Sequence, residues 1–298
     1  AADPTLAGTV FCGTADRGLW RSRDGGRSWE PVAQDVAHVE VTAVAVGRDG
    51  AGGVVYAGTE PSAVFRSADG GETWEERTGL LDLPSSDAWS FPPRPETHHV
   101  RWIGIDPHVA GRLFVAIEAG ALVRSRDGGR TWEDRVETGP YDTHTLVIHP
   151  RVRDRLYSAA GDGYFESEDG GERWSRPQRG LGNRYAWSCV VDPGDPGRVV
   201  VSAAEGARAA HSGLGAESWI YRKEPGGAWQ PVREGLPEPR GTTISSLVLD
   251  PADPAGLYCA NNRGVFHSAD LGESWSRIDI PWPARFRRQR VAGLAVCR

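Results

Sequence analysis

Short apolar runs rich in β-branched and aromatic residues alternate with polar turns along the whole chain. Between residues 41 and 77 the runs are 41–46, 54–58, 63–66 and 74–77. Gly, Pro and Asp stand between them, which is typical of strands joined by tight turns. No segment of useful length has its apolar residues at helical spacing. The pattern predicts an all-β chain built from groups of four strands.

An eight-residue box recurs between the third and fourth predicted strands of each group. It reads Ser-x-Asp-Gly-Gly-x-x-Trp at 22–29, 67–74, 125–132 and 167–174, has Leu for the first Gly at 268–275, and is reduced to Gly-Gly-Ala-Trp at the end of 221–229. The Asp can accept backbone N–H bonds, the glycines can take positive φ, and the Trp can bury a large apolar face. Repeats at this period are typical of propellers. We therefore predict a six-bladed β-propeller of four-stranded antiparallel blades, forming one domain over residues 1–298.

The two ends of the chain are predicted to share one blade. The first apolar run, 8–13, has the pattern of a second strand, so the first blade lacks its inner strand. The last run, 291–296, has the pattern of an inner strand. Because a propeller removes its sheet edges by radial repetition, we expect this C-terminal strand to close blade 1.

The boxes resemble those of the Asp-box, or bacterial neuraminidase repeat, propellers. The resemblance covers nearly the whole chain and is greatest to the small bacterial members labelled glycosyl hydrolase-like or sialidase-like. It implies the propeller fold and a ligand site on the face opposite the boxes. Sialidases also carry a Phe/Tyr-Arg-Ile-Pro signature, whereas the nearest string here, 286–289, reads Phe-Arg-Arg-Gln. We therefore expect a sialidase-like fold without true sialidase activity.

Charge and composition exclude several classes of function. The net charge of −6 argues against nucleic-acid binding, and no apolar run is long enough to cross a bilayer. The start of the chain has no signal-peptide pattern, which favours a cytoplasmic protein, although the lack of an initial Met leaves processing open. Cys12, Cys189, Cys259 and Cys297 form no CxxC pair, so we expect reduced core thiols.

Aligning the inner strands on their Asp-Pro turns predicts an ionisable mouth above a packed centre. The first aligned row is Glu40, His99, Asp142, Tyr185, Thr243 and Arg290, and the row two residues further on is Thr42, Arg101, His144, Trp187, Ser245 and Ala292. The next row is almost wholly apolar. The loops between second and third strands add Glu60, Glu118, Glu205, His211, Asn261 and Asn262.

Three kinds of chemistry are open for this mouth. In the first, His99, His144 and a carboxylate, with Glu118 preferred to Asp142, bind one divalent metal ion. In the second, the acid pairs Glu118 with Glu205, or Glu40 with Asp142, hydrolyse a glycoside while Tyr185 and Trp187 contact the sugar. The third is binding alone, for which the candidate residues are Arg101, Arg184, Arg290, Trp187 and Asn262.

The segment 79–97 is longer than an ordinary connection and contains Trp89 and Phe91. It is predicted either to form a lid or substrate wall at the mouth or to pack against the side of the propeller. We predict a hydrolase-like protein that acts on or binds a small polar or carbohydrate ligand. The convergence of titratable groups favours an enzyme. The alternative is a non-catalytic scaffold for a glycan, peptide or protein partner.

Overall fold

The computed structural model describes residues 1–34, 36, 38–49 and 52–297. It contains six antiparallel sheets of three or four strands and very little helix. The prediction of an all-β chain with six groups of strands is therefore confirmed. Among the described residues, no helix has the length and apolar character needed to cross a membrane.

The chain divides into two compact units, Ala1–Ile148 with Cys297–Arg298, and His149–Val296. The predicted single domain over 1–298 stays a prediction. The first unit contains three whole sheets and one further strand. These are β1 (Val10–Gly13), β2 (Leu19–Ser22) and β3 (Glu30–Val32); β4 (Glu40–Asp49), β5 (Gly52–Glu60), β6 (Val64–Ser67) and β7 (Glu75–Glu76); β8 (Val100–Ile105), β9 (Leu113–Ile117) and β10 (Ala121–Ser125); and then β11 (Thr143–Ile148).

The second unit contains two whole sheets and two further strands. Its strands are β12 (Leu156–Ala160) and β13 (Gly163–Ser167); β14 (Tyr185–Asp192), β15 (Asp195–Ala204), β16 (Ser218–Lys223) and β17 (Gln230–Val232); and β18 (Ser246–Leu249), β19 (Leu257–Asn261), β20 (Gly264–Ser268) and β21 (Ser276–Arg277). One short helix, α1 (Ala207–His211), follows β15, and a 3-10 turn covers Ala284–Arg288.

The boxes form the turns that the sequence predicts. In the first box, Asp24 Oδ1 accepts backbone N–H bonds from Arg27 and Ser28, both at 2.9 Å, and Ser22 Oγ accepts one from Gly26 at 2.8 Å. Gly25 and Gly26 have φ of 74° and 88°, the left-handed region that glycine enters without a steric penalty. Hydrogen bonds from Ser28 and Ser22 lower the pKa of Asp24 well below its usual range.

Three sheets have three strands instead of the predicted four. After the third and fourth boxes, the fourth strand is reduced to one isolated bridge, Arg124 with Glu133 and Glu166 with Ser175. The predicted closing strand at 291–296 is wrong, because residues 291–297 form no strand. These residues are exposed or only half-buried, so they lack the buried face that a central strand requires.

One core cluster of the first unit lies between its second and third sheets, and another lies between its first and second sheets. Tyr56, Val64, Ile103, Val115 and Val123 are among the buried members of the former. The connection after β7 belongs to the same cluster, because Leu80, Leu83 and Trp89 pack into it. The first part of segment 79–97 thus packs against the side of the propeller, which is one of the two predicted alternatives.

The prediction of core thiols holds for two cysteines. Cys189 and Cys259 are buried, and burial raises the pKa of each thiol to about 12. Cys12 and Cys297 are exposed, so the prediction is wrong for them. Cys12 lies in β1, where side chains alternate between faces, and its neighbour Phe11 takes the buried face.

Candidate functional site

Three strands of the first unit begin close to predicted site residues. Glu40 is the first residue of β4, His99 comes directly before β8, and Asp142 comes directly before β11. Thr42 Oγ1 donates a hydrogen bond of 2.7 Å to the Val100 carbonyl, which ties β4 to the start of β8. A Cβ at Gly58 would lie 2.4 Å from Val100, so β8 can approach β5 only because residue 58 is glycine.

Glu118 is the centre of a charged group at these strand ends. It follows β9, and its Oε2 lies 2.8 Å from His99 Nε2 and 3.5 Å from Arg101 Nε. The Glu118 backbone N–H also donates to the His99 carbonyl at 3.2 Å. We call Glu118, His99, Arg101, Asp142 and His144 the acid–histidine cluster.

The acid–histidine cluster keeps Glu118 ionised. Burial alone would raise its pKa, but the hydrogen bond with His99 and the charges of Arg101 and His144 lower that pKa to about 2. A carboxyl group with this pKa is an anion at neutral pH. It can accept hydrogen bonds, bind a cation or take up a proton transiently, but it holds no proton to donate.

Asp142 and His144 complete the cluster from the start of β11. The backbone N–H of Ala119 donates to Asp142 Oδ1 at 2.7 Å, and Asp142 Oδ2 lies 3.5 Å from His144 Nε2. The His144 side chain is fully buried. Glu118, Asp142 and His144 each present one ligand atom, and these atoms lie within 4.8 Å of one another.

The structure brings together only some of the side chains predicted to bind a metal ion, and metal binding stays a prediction. His144 and Glu118 are together as predicted, but the third ligand atom close to both belongs to Asp142 and not to His99. His99 instead uses Nε2 on Glu118 and packs edge-on against Phe91, with ring centroids 4.7 Å apart. It is positioned to orient the carboxylate.

A second charged group connects segment 79–97 to the cluster. Arg94 Nη2 lies 2.7 Å from Glu60 Oε2 and 3.2 Å from Glu40 Oε1, and its guanidinium carbon lies 5.7 Å from the Phe91 ring centroid. Glu60 Oε2 is also 3.3 Å from His99 Nδ1, although the angle is not that of a hydrogen bond. The tip of this segment therefore contacts the strand ends, and its role as a lid or substrate wall stays a prediction.

The roles of Arg94 and Phe91 could not be read from the sequence. Both lie in a segment that has no counterpart in the other repeats, so no register relates them to Glu40. Glu60 offered a signal, since it ends β5 in a loop position shared with other acidic residues. Its partner, however, is 34 residues away along the chain.

The second unit contains a separate aromatic group. Tyr185 Oη lies 3.1 Å from His211 Nε2, and the His211 and Trp187 rings are 4.5 Å apart. Arg290 is 5.7 Å from the Trp187 ring centroid. Trp187 is only 5% exposed, so the expected open stacking surface for a sugar is absent from this residue. Its neighbours His211 and Arg290 pack on its ring.

Asn262 supports a loop and presents no free amide. Its Oδ1 accepts from the Thr243 N–H at 2.9 Å, and its Nδ2 donates to the carbonyls of Gly241 and Arg287 at 3.0 and 2.9 Å. Its amide is buried and hydrogen-bonded in this arrangement, and the expectation that it binds substrate stays a prediction. Glu205 and Arg184 are exposed in the same unit.

The proposed acid pairs stay predictions. Glu118 and Glu205 belong to different units. Glu40 and Asp142 lie in one unit, where Glu40 faces Arg94 and Asp142 faces His144.

Comparison with known proteins gives matches of structure alone, because neither a family model nor a curated protein matches the sequence. An ancestral GH74 enzyme matches with a TM-score of 0.69 at 17% identity, over 90% of this chain and 35% of that chain. The GH74 enzyme of Niastella koreensis matches with a TM-score of 0.69 at 18% identity, over 97% of this chain and 46% of that chain. YCF48 bound to D1 peptide matches with a TM-score of 0.63 at 18% identity, over 93% of this chain and 79% of that chain.

The fold is a β-propeller. At these identities the likeness extends to the fold and not to the chemistry. The chain spans less than half the length of the GH74 enzymes that it matches.

Proposed function

We propose that this protein is an Asp-box propeller of glycosyl hydrolase-like type that binds a carbohydrate or another small polar ligand at the acid–histidine cluster. The observation that carries the proposal is the contact of Glu118 with both His99 and Arg101, at 2.8 and 3.5 Å. A buried, ionised carboxylate between two donor groups is pre-organised for hydroxyl-rich or charged ligands. The repeated geometry of the boxes and the likeness to GH74 enzymes support the same proposal.

The charge state of Glu118 restricts its part in any hydrolysis. Glycoside hydrolysis requires one carboxyl group that donates a proton and one carboxylate that acts as base or nucleophile. With a pKa of about 2, Glu118 suits only the second role. Of the other acids predicted to be catalytic, Asp142 and Glu40 lie in the first unit and are the candidates for the proton donor.

Binding is tested with a panel of immobilised neutral, acidic and amino oligosaccharides, and turnover with the matching aryl glycosides. The variant is Glu118→Gln, and the matched control is Glu137→Gln, an exposed carboxylate of the same unit. We expect the first variant to lose affinity by at least about tenfold and the control to bind as the unaltered protein does. Equal binding by both variants rejects the proposal, and no binding to any glycan rejects a carbohydrate as the ligand.

A second candidate function is a non-catalytic scaffold for a peptide or protein. The likeness to YCF48 bound to D1 peptide supports it, with a TM-score of 0.63 over 93% of this chain. A peptide array distinguishes the two candidates. Peptide binding that is weakened by Glu118→Gln, with no glycan bound and no glycoside hydrolysed, supports the scaffold.

A further inference from the structure

Two carboxylates and one imidazole converge within the acid–histidine cluster from separate segments of the chain. Glu118 follows β9, Asp142 precedes β11, and His144 is the second residue of β11. One ligand atom from each lies within 4.8 Å of the other two. Within the described residues, this is the group whose His, Cys, Asp and Glu side chains are close enough to share a metal ion.

Hydrogen bonds to neighbouring groups hold the two carboxylates in place. The Ala119 N–H donates to Asp142 Oδ1 at 2.7 Å, so the residue that follows Glu118 orients Asp142. His99 Nε2 lies 2.8 Å from Glu118 Oε2. Such contacts from surrounding groups fix the direction of metal ligands and raise affinity, because little side-chain freedom is lost when the ion binds.

The spacing between Asp142 Oδ2 and His144 Nε2 matches neighbouring ligands of one metal ion. Transition-metal ions bind imidazole nitrogen and carboxylate oxygen at about 2.0–2.2 Å, which places adjacent ligand atoms about 3.0–3.5 Å apart. The observed distance is 3.5 Å. A hydrogen bond between the same atoms would have a typical length of about 2.9 Å.

We propose that Glu118, Asp142 and His144 bind one divalent transition-metal ion, of the class that accepts mixed nitrogen and oxygen ligands, such as Zn²⁺, Mn²⁺ or Co²⁺. The imidazole disfavours Ca²⁺ and Mg²⁺, which take all-oxygen sites. Two carboxylates with one imidazole form a ligand set that suits a divalent transition-metal ion. Because His99 and Arg101 both face Oε2 of Glu118, we expect this carboxylate to bind through one oxygen.

This assignment uses the same side chains as the proposed ligand site and therefore rests in part on that proposal. An ion held by three protein ligands keeps open positions for water or for a ligand hydroxyl. The metal would then be the group through which a polar ligand is recognised. The two proposals are separated by measuring metal binding without ligand, and ligand binding in EDTA.

The test is a titration of EDTA-treated protein with Co²⁺, followed by visible absorption, together with elemental analysis after equilibration with Zn²⁺ or Mn²⁺. We expect about one ion per chain and, in Asp142→Asn, an affinity at least about tenfold weaker. Glu118→Gln is the second variant, and Glu137→Gln is the control that binds metal as before. Melting curves in EDTA establish that each variant is folded.

Failure of the metal assignment and failure of the proposed function give different results in these measurements. The metal assignment is overturned if the unaltered protein takes up no ion at millimolar metal, or if Asp142→Asn and Glu118→Gln bind metal as tightly as the unaltered protein does. Ca²⁺ binding as tight as Co²⁺ binding also overturns it. Glycan or peptide binding that persists in EDTA leaves the proposed function standing without the metal. Uptake of one ion without any ligand leaves the metal site standing without that function.

Discussion

His99 Nε2 lies 2.8 Å from Glu118 Oε2, and the two residues are joined a second time through the backbone, where the Glu118 N–H donates to the His99 carbonyl. The backbone hydrogen bond continues the pairing of β8 with β9 and fixes the positions of both residues, so the side-chain contact does not depend on the side chains alone. Glu118 is thereby held at a fixed position beside Arg101 and His144.

This relationship predicts a loss of stability in acid. The pKa of Glu118 is about 2 in the folded protein against an ordinary value of 4.5, so folding favours the ionised form. The contribution is complete above about pH 4.5 and is lost as the pH falls towards 2. Its upper limit is about 3 kcal/mol, since one pKa unit corresponds to about 1.4 kcal/mol. Urea unfolding between pH 2 and 6 measures it.

Glu118→Gln should flatten this part of the pH profile, because glutamine does not titrate. Glu137→Gln, at an exposed position, should keep the profile of the unaltered protein. An unchanged slope in Glu118→Gln would mean that other carboxyl groups are responsible for the acid sensitivity.

Arg94 is predicted to hold the tip of segment 79–97 against the strand ends. Its guanidinium is half-exposed and contacts Glu60 and Glu40 at 2.7 and 3.2 Å. Because Glu60 is buried and loses its cationic partner, Arg94→Ala should lower the free energy of unfolding by about 1–2 kcal/mol. Amide hydrogen exchange in residues 90–97 should become several-fold faster.

Arg153→Ala is the control for this change, since Arg153 forms an exposed pair with Asp154 at 3.4 Å. It should leave exchange in residues 90–97 unchanged. If Arg94→Ala gives the same exchange rates as the control, then Phe91 and the backbone turn hold the tip without help from Arg94.

Local interactions explain how much of the fold could be predicted from the sequence. The hydrogen bonds that shape a box join residues at most four positions apart, as between the Gly71 N–H and Ser67 Oγ at 2.8 Å. A stretch of eight residues therefore contains the whole motif and can be recognised in the sequence. His99 and Glu118 were predicted together because both belong to one repeat. Arg94 and Glu60 could not be paired, because segment 79–97 has no register with the other repeats.

Other differences arise where tertiary packing decides. The run 291–296 has the composition of a strand but remains outside the sheets. Trp187 was predicted at the mouth, yet His211 and Arg290 cover its ring. The choice of Asp142 over His99 as third neighbour of Glu118 and His144 depends on the Ala119 N–H, whose direction no sequence pattern encodes.

The boxes themselves are predicted to be structural, as a change in the second box can show. Asp69 Oδ1 accepts backbone N–H bonds from Glu72 and Thr73 at 3.1 and 3.0 Å, and its Oδ2 accepts from Thr73 Oγ1. Asp69→Ala removes both acceptor oxygens, and with them these three hydrogen bonds, from the turn. We expect a loss of about 2 kcal/mol in the free energy of unfolding, measured with urea, and no change in ligand or metal binding.

Glu76→Ala, at an exposed position of β7, is the control and should change stability by less than about 0.5 kcal/mol. A weaker metal or ligand affinity in folded Asp69→Ala would contradict a purely structural role for the box.

Lys223 is the only lysine in the chain, and its position matches that of the box serine in the degenerate fifth repeat. It is 7% exposed, pairs with Glu166 through Nζ, and lies 5.5 and 5.4 Å from the Tyr164 and Trp229 ring centroids. Arg155 also contacts Glu166, at 2.7 Å. In this repeat the Lys223–Glu166 ion pair, packed against the Tyr164 and Trp229 rings, thus occupies the position of the usual box turn.

Lysine-directed acylation tests this burial directly. We expect Lys223 to remain unmodified in the folded protein and to react fully in urea, as peptide mass spectrometry would detect. Lys223→Ala should destabilise the fold by about 3 kcal/mol, because it removes one partner of a buried ion pair and leaves Glu166 only partly compensated by Arg155. Lys223→Met keeps much of the apolar volume and should cost less. Rapid acylation of Lys223 under native conditions would show that the side chain is open to solvent and that the fifth repeat is held by other contacts.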